Sequence, residues 1–108
     1  MTVKELCTSA GFKGLALPCP DRKISGCYIG DLLSWVMGRA KADNAWITIM
    51  SNSNVIAVAS LTDVSCVIVS EGVELGEDII ALAMQKEVNI LSSELNTYDC
   101  ARMLFGYL

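Results

Sequence analysis

The chain has 108 residues, enough for one domain with one modest core. It is 53% hydrophobic and only 19% charged, with a mean hydropathy of +0.46, which is greasy for a small domain whose surface charged side chains normally cover. No apolar run approaches the roughly 20 residues that span a bilayer, so a membrane protein is not expected, and the surplus apolar surface points to self-association, most simply a two-fold homodimer.

The net charge of −4 is unevenly placed. Residues 1–53 carry six Lys/Arg against four Asp/Glu, and residues 54–108 carry two against eight. No basic stripe exists to displace counterions from a phosphate backbone, so nucleic acid is not expected as a partner. Lys4, Glu5 and Thr8 occupy the place where a signal peptide would need its apolar segment. The five cysteines (7, 19, 27, 66 and 100) are odd in number and irregularly spaced, which implies free thiols and a cytoplasmic setting. With no CxxC pair and no histidine, neither a metal site nor a cofactor is expected.

In chain order, residues 2–10 predict a helix with Thr2 as N-cap, Glu5 three residues on, and Gly11 as its stop. Residues 15–17 form a brief apolar run, an edge strand stopped by Pro18 and Pro20. A charged loop at 21–23 leads to a strand over 24–29, interrupted by Gly26. Asp31 is the N-cap candidate of the next helix, with Leu32, Leu33, Val36, Met37 and Ala40 as its buried stripe. Trp35 falls off that stripe and is either packed on a neighbouring loop or the interface candidate, since aromatics are enriched where proteins meet.

Residues 46–50 (WITIM) and 66–69 (CVIV) are apolar without alternation, the pattern of strands covered on both faces. Between them, residues 55–61 read either as a second hairpin strand turning at 52–53 or as a short helix capped by Asn52 or Asn54. The helix is favoured, because a doubly covered strand at 66–69 needs a crossover to reach it. Residues 77–87 predict a helix with Ile79, Ile80, Ala83 and Met84 inward, and 88–91 a third apolar strand. Asn96 or Thr97 caps a last helix that buries Cys100, Ala101, Leu104 and Phe105. This alternation predicts an α/β fold of three α/β/α layers around a mostly parallel central sheet, spanning residues 1–108 as a single domain.

Ligands of open parallel sheets sit beyond the carboxyl ends of the strands. Three predicted strands end in serine, at Ser51, Ser70 and Ser92–Ser93, and a polar segment follows each: Asn52–Asn54, Glu71–Gly72 and Glu94–Thr97. Hydroxyls, amides and free N–H groups gathered on one rim suit a small anionic metabolite or nucleotide. Catalysis lacks its usual parts: no histidine base, no GxxxxGK[ST] and no GxGxxG. The expectation is a non-enzyme, with Cys19, set between two prolines, as the one thiol whose reactivity is open to test.

The segment Asp21-Arg22-Lys23-Ile24-Ser25-Gly26-Cys27-Tyr28-Ile29-Gly30-Asp31-Leu32-Leu33-Ser34 resembles the stretch that names the DRTGG domain. Cys27 stands where that family has its second glycine, and Ile24 intervenes before the hydroxyl residue. The resemblance extends over residues 20–105. Such domains occur alone or fused to CBS pairs and phosphotransacetylases, and are similar to the N-terminal domain of HPr kinase/phosphorylase. The resemblance implies a regulatory, ligand-sensing module of no established activity. In that reading Asp21, Arg22, Ser25, Gly26 and Asp31 join the strand-end residues, with Arg22 as a bidentate anion contact or else paired with Asp21 or Asp31 on the surface. A protein-interaction adaptor without any small ligand, working through Trp35 and the apolar surplus, is the alternative.

Overall fold

The computed structural model describes residues 1–106. In chain order its elements are α1 (Val3–Ser9), β1 (Lys13–Ala16), β2 (Cys27–Ile29), α2 (Leu33–Arg39), β3 (Ala45–Thr48), α3 (Ser53–Thr62), β4 (Cys66–Val69), α4 (Glu77–Gln85), β5 (Ile90–Ser92) and α5 (Thr97–Phe105). The strands lie in the order β1-β5-β4-β3-β2, all parallel except β1, which runs antiparallel along the outside of β5. From β2 to β5 the chain moves one strand sideways at each crossover, the consequence of repeated right-handed βαβ units.

The two doubly covered runs are the two central strands, buried at every position. Their side chains alternate between two cores. Trp46, Val67, Val69 and Ile90 meet α2, α3 and α4 on one face. Ala45, Ile47, Cys66, Ile68 and Leu91 meet α1 and α5 on the other. Each large aliphatic so enclosed contributes about 1.5–3 kcal/mol. Three layers result, with three helices on one side of the sheet and two on the other.

Residues 53–62 are the helix, capped by the Asn52 side chain, which accepts from Asn54 N at 2.9 Å. The first helix is capped as expected: Thr2 Oγ1 accepts from Glu5 N and donates to Glu5 Oε1. Other expectations shift. The edge strand starts at Lys13, two residues before the apolar run. Only 27–29 of the 24–29 segment is strand, Ile24 being a buried plug beside the Thr2–Lys23 bridge.

Asp31 does not cap α2. Leu32 holds that position with no side-chain bond, and the Asp31 carboxylate turns to β3 instead. Since α2 is only two turns long, one residue of its stripe, Val36, is fully enclosed, while Leu32 and Met37 stand exposed. Met84 and Phe105 are also exposed, because each lies a quarter-turn or more from the centre of its helix's buried face.

Candidate functional site

The two ends of the sheet are built differently, and the site residues expected from sequence divide between them. Asp21, Arg22, Ser25 and Gly26 precede β2 and so lie at the amino ends of the parallel strands. Arg22 Nη2 meets Asp43 Oδ1 at 3.0 Å, Asp63 Oδ1 at 2.9 Å and the Asp63 carbonyl at 2.6 Å. Burial pulls the guanidinium down, but the hydrogen bonds and charges of the two aspartates outweigh it and hold Arg22 above its ordinary value.

Arg22 is therefore committed within the chain and does not face the strand tips, where an anion contact was expected. Its partners are the aspartates that lead into β3 and β4, not Asp21 or Asp31. Ser25 N donates to the Asp43 carbonyl, and the Ser25 carbonyl accepts from Asn44 Nδ2. Gly26 has a φ of +77°, and a Cβ there would stand 3.0 Å from Asn44 Nδ2, so this glycine makes the turn into β2 rather than a ligand cradle. Asp21 is exposed at the same end.

The remaining residues do share the carboxyl rim. At the β2 side, Asp31 Oδ1 accepts from Thr48 Oγ1 at 2.8 Å and from Ile49 N at 2.9 Å, tying the end of β2 to the end of β3. Beneath it the buried Trp46 indole donates to the Gly30 carbonyl at 2.9 Å. Ser51 and Asn54 flank the capping Asn52 at the tip of β3. Buried Ser70 at the tip of β4 exchanges a 2.8 Å hydrogen bond with Thr97 in the first turn of α5.

Next come Glu71 and Gly72, both left-handed (φ +65° and +67°). Their N–H groups donate to the Leu95 and Ser93 carbonyls, which clips the loop after β4 onto the loop after β5. Ser93 Oγ accepts from Leu95 N at 3.1 Å.

Two open cavities of about 330 and 260 Å³ lie at this rim, on either side of a ridge made by Lys13, Ser92, Ser93 and Glu94. The larger runs under Gly72–Leu75 to Leu15 and Ile80, and the smaller reaches the end of α1 at Ala10 and Gly11. Lys13 is the only cation lining either one, and none of the ion pairs among the described residues involves it. Glu94 and Glu74 supply carboxylates beside it. The set combines one free ammonium, two hydroxyls and two carboxylates over an apolar floor. It can pair with an anion and accept from hydroxyl or amino groups of the same molecule.

Sequence reasoning reaches Glu94 as the start of a polar strand-end segment but misses Lys13 and Glu74. A usable signal exists: an antiparallel edge strand begins where its parallel neighbour ends, and the register pairs Lys13 with Ser92.

Trp35 stands exposed on α2, its ring covered on one side by the Arg39 guanidinium, 3.9 Å from the ring centre. No group of residues among those described has the makings of a metal site, and no described helix is long and apolar enough to cross a membrane.

No curated protein sequence matches the chain. Among solved structures it is similar to the CBS and DRTGG domains of the regulatory region of Clostridium perfringens pyrophosphatase, crystallised with the activator diadenosine tetraphosphate. The TM-score is 0.70 at 14% identity, a likeness of fold. It covers 93% of this chain but 44% of the other, so the chain spans less than half the length of that regulatory region. The sequence profile of the DRTGG domain matches residues 26–106, three-quarters of the chain, starting just after the Asp-Arg segment. The chain belongs to the DRTGG domain family.

Proposed function

We propose that this domain is a non-catalytic regulatory module that senses a small anionic metabolite, of the nucleotide class, at the carboxyl rim of its sheet, and that it works as a homodimer. The observation that carries the reading is the pair of cavities meeting on an uncommitted lysine at the strand tips. Lys13 takes a phosphate or carboxylate group. Ser92 and Ser93 add hydroxyl contacts, and Glu94 and Glu74 accept from sugar hydroxyls or a base amine. Asp31, Ser51, Asn52, Asn54, Ser70, Glu71 and Thr97 make up the rest of the rim, mostly by fixing its loops. Arg22 has no part in it. Family membership supports the regulatory role, and so does a structural neighbour that is itself a regulatory region bound to a nucleotide activator.

Thermal denaturation against a panel of nucleotides, dinucleoside polyphosphates and sugar phosphates tests the reading. A ligand present at 100 times its Kd adds about 2.7 kcal/mol, roughly 10 °C in Tm for a domain of this size. At least one compound should shift the wild type and fail to shift Lys13→Ala. Silence from the whole panel at millimolar concentration would sink the ligand reading.

The adaptor reading draws on α2, where Leu32 at the start and Trp35 and Met37 on opposite flanks of the buried Val36 are each more than half exposed. Capture of a protein partner by the wild type and not by Trp35→Ala selects it.

A further inference from the structure

The layer that holds α1 and α5 is one helix short. Three helices cover the opposite face of the sheet, but here, among the described residues, only α1 and α5 do, and α5 lies along β3. Strand alternation sends Tyr28 to the α2 side, so Cys27 and Ile29 of β2 point into the short layer, and Ile49 continues the Ala45–Ile47 row on that same face. With no helix among the described residues above them, Ile29 and Ile49 are 49% and 44% exposed.

The phase of α5 supplies the other wall. Cys100 and Leu104 point at the sheet, and at 100° per residue Tyr98 and Phe105 fall together on one flank. Right-handed crossovers fix the order of strands beneath, and with α5 running down from the rim that flank is the one turned toward β2. Tyr98 and Phe105 are 73% and 81% exposed. The result is a trough with an isoleucine floor and an aromatic wall.

We infer that this trough is the self-association surface, and that α5 of a second copy fills the missing helix position. The inference rests on the homodimer part of the reading above and names its face. Helices pack 8–10 Å apart and strands about 4.8 Å apart, so a helix laid beside α5, which lies along β3, comes down about 4 Å outside edge strand β2, along the outer side of Ile29. The same apolar flank of α5 is both the wall of its own trough and the surface that needs cover. A two-fold related copy satisfies both at once, as an isologous contact does.

The area is also sufficient. Aromatic side chains bury about 150–250 Å² each, so the bare parts of Tyr98 and Phe105 amount to roughly 300 Å² per copy. With Ile29 and Ile49 the apolar area over two copies is on the order of 1,000 Å². At the roughly 60% apolar share of an interface this corresponds to about 1,600 Å² in total, the size of a standard stable contact.

Sedimentation equilibrium on the wild type, Tyr98→Glu, Phe105→Glu and Trp35→Glu tests the assignment, with circular dichroism as the check on folding. The wild type should be dimeric at micromolar concentration. Each glutamate on α5 should raise the dimer Kd at least 100-fold, and Trp35→Glu, in the opposite layer, should leave it within about 3-fold. A wild-type monomer at 100-fold higher concentration would overturn the homodimer reading and this inference together. A dimer that survives both α5 substitutions, or is lost only with Trp35→Glu, overturns the face alone. Should an α5 variant unfold, dilution of the wild type followed by NMR decides the same question. Concentration-dependent shifts must then centre on Ile29, Ile49, Tyr98 and Phe105, and shifts confined elsewhere overturn the assignment.

Discussion

At the amino ends of the strands most polar side chains against the sheet are spent on the chain itself, with Ser60, Lys86 and Glu87 left to line an open cavity of about 230 Å³; at the carboxyl ends the uncommitted groups stand on the strand tips themselves. Buried Asn89 illustrates the first case. Its carbonyl accepts from Cys19 N at 2.9 Å, and its amide donates to the carbonyls of Cys19 at 2.7 Å and Ser65 at 2.9 Å. Ser65 Oγ reaches the carbonyls of both Lys23 and Asp43, and Asn44 bonds Ser25 and Lys41. With the clamp on Arg22, these contacts fasten the connection from β1 to β2, which has almost no regular structure of its own, to the bottom of the sheet. The rim has its clips too, such as Ser70 to Thr97. Yet the side chains of Lys13, Ser92 and Glu94 bond to no other described residue and line open space. The difference teaches that hydrogen-bonding residues gathered near a sheet indicate a site only where their bonds remain to be made.

The largest effect should come from breaking the closed end. Asn89→Ala strands the part-buried Cys19 N–H and the buried Ser65 carbonyl, the Cys19 carbonyl keeping Arg22 N at 3.2 Å, at about 1–3 kcal/mol for each group left without a partner or water. A loss of about 2–4 kcal/mol is expected in urea denaturation, with ligand affinity in the surviving folded protein unchanged. A loss under about 0.5 kcal/mol, the scatter of ordinary surface changes, would show that the amino end is not stapled in this way.

Second in size is Gly72→Ala at the rim. Alanine dislikes the φ of +67°, and its Cβ would come 2.5 Å from Glu94 Oε2. The strain costs about 1–2 kcal/mol, and the displaced carboxylate reshapes both cavities. Stability and ligand response should therefore fall together, whereas Asn89→Ala separates them. Arg22→Ala is smaller, about 1 kcal/mol or less, because the partner aspartates are more than half exposed and screened by water. Its signature is salt: the gap between variant and wild-type Tm should narrow as ionic strength rises.

Much of this architecture is legible in the residues. The runs 46–50 and 66–69 are apolar throughout because they are covered on both faces, and that alone requires parallel pairing, a crossover, and hence a helix at 53–62. What misleads is distance along the chain. Residues 21–31 read as one functional stretch, but a segment leading into a parallel strand lies at its amino end and one leaving it lies at its carboxyl end. Three residues of β2 are enough to put Gly26 and Asp31 at opposite ends of the sheet. Asp31 reads as an N-cap because it precedes an apolar stripe, yet Thr48 and Ile49 offer it two donors on the neighbouring strand, and tertiary bonds outrank the local one. Phe105 is expected inward but misses by phase, since at 100° per residue it stands about 120° from the line of Cys100 and Leu104 that faces the sheet.

The smallest change in stability should carry the sharpest functional consequence. Lys13→Ala removes an exposed, unpaired ammonium from the edge strand, and surface changes of that kind stay within about 0.5 kcal/mol. If the rim takes an anion, the same change costs at least the roughly 1.5–3 kcal/mol of a charge-assisted hydrogen bond, or about 10- to 150-fold in Kd. Lys13→Arg should recover most of the affinity, since it restores the charge, while Lys13→Gln should not. The ratio between the two effects is the measurement that matters. An alanine variant that melts with the wild type and binds every panel nucleotide as well would place the ligand away from the strand tips, whatever the cavities there suggest. One that melts with the wild type and has lost the response ties the open end of the sheet to its charge.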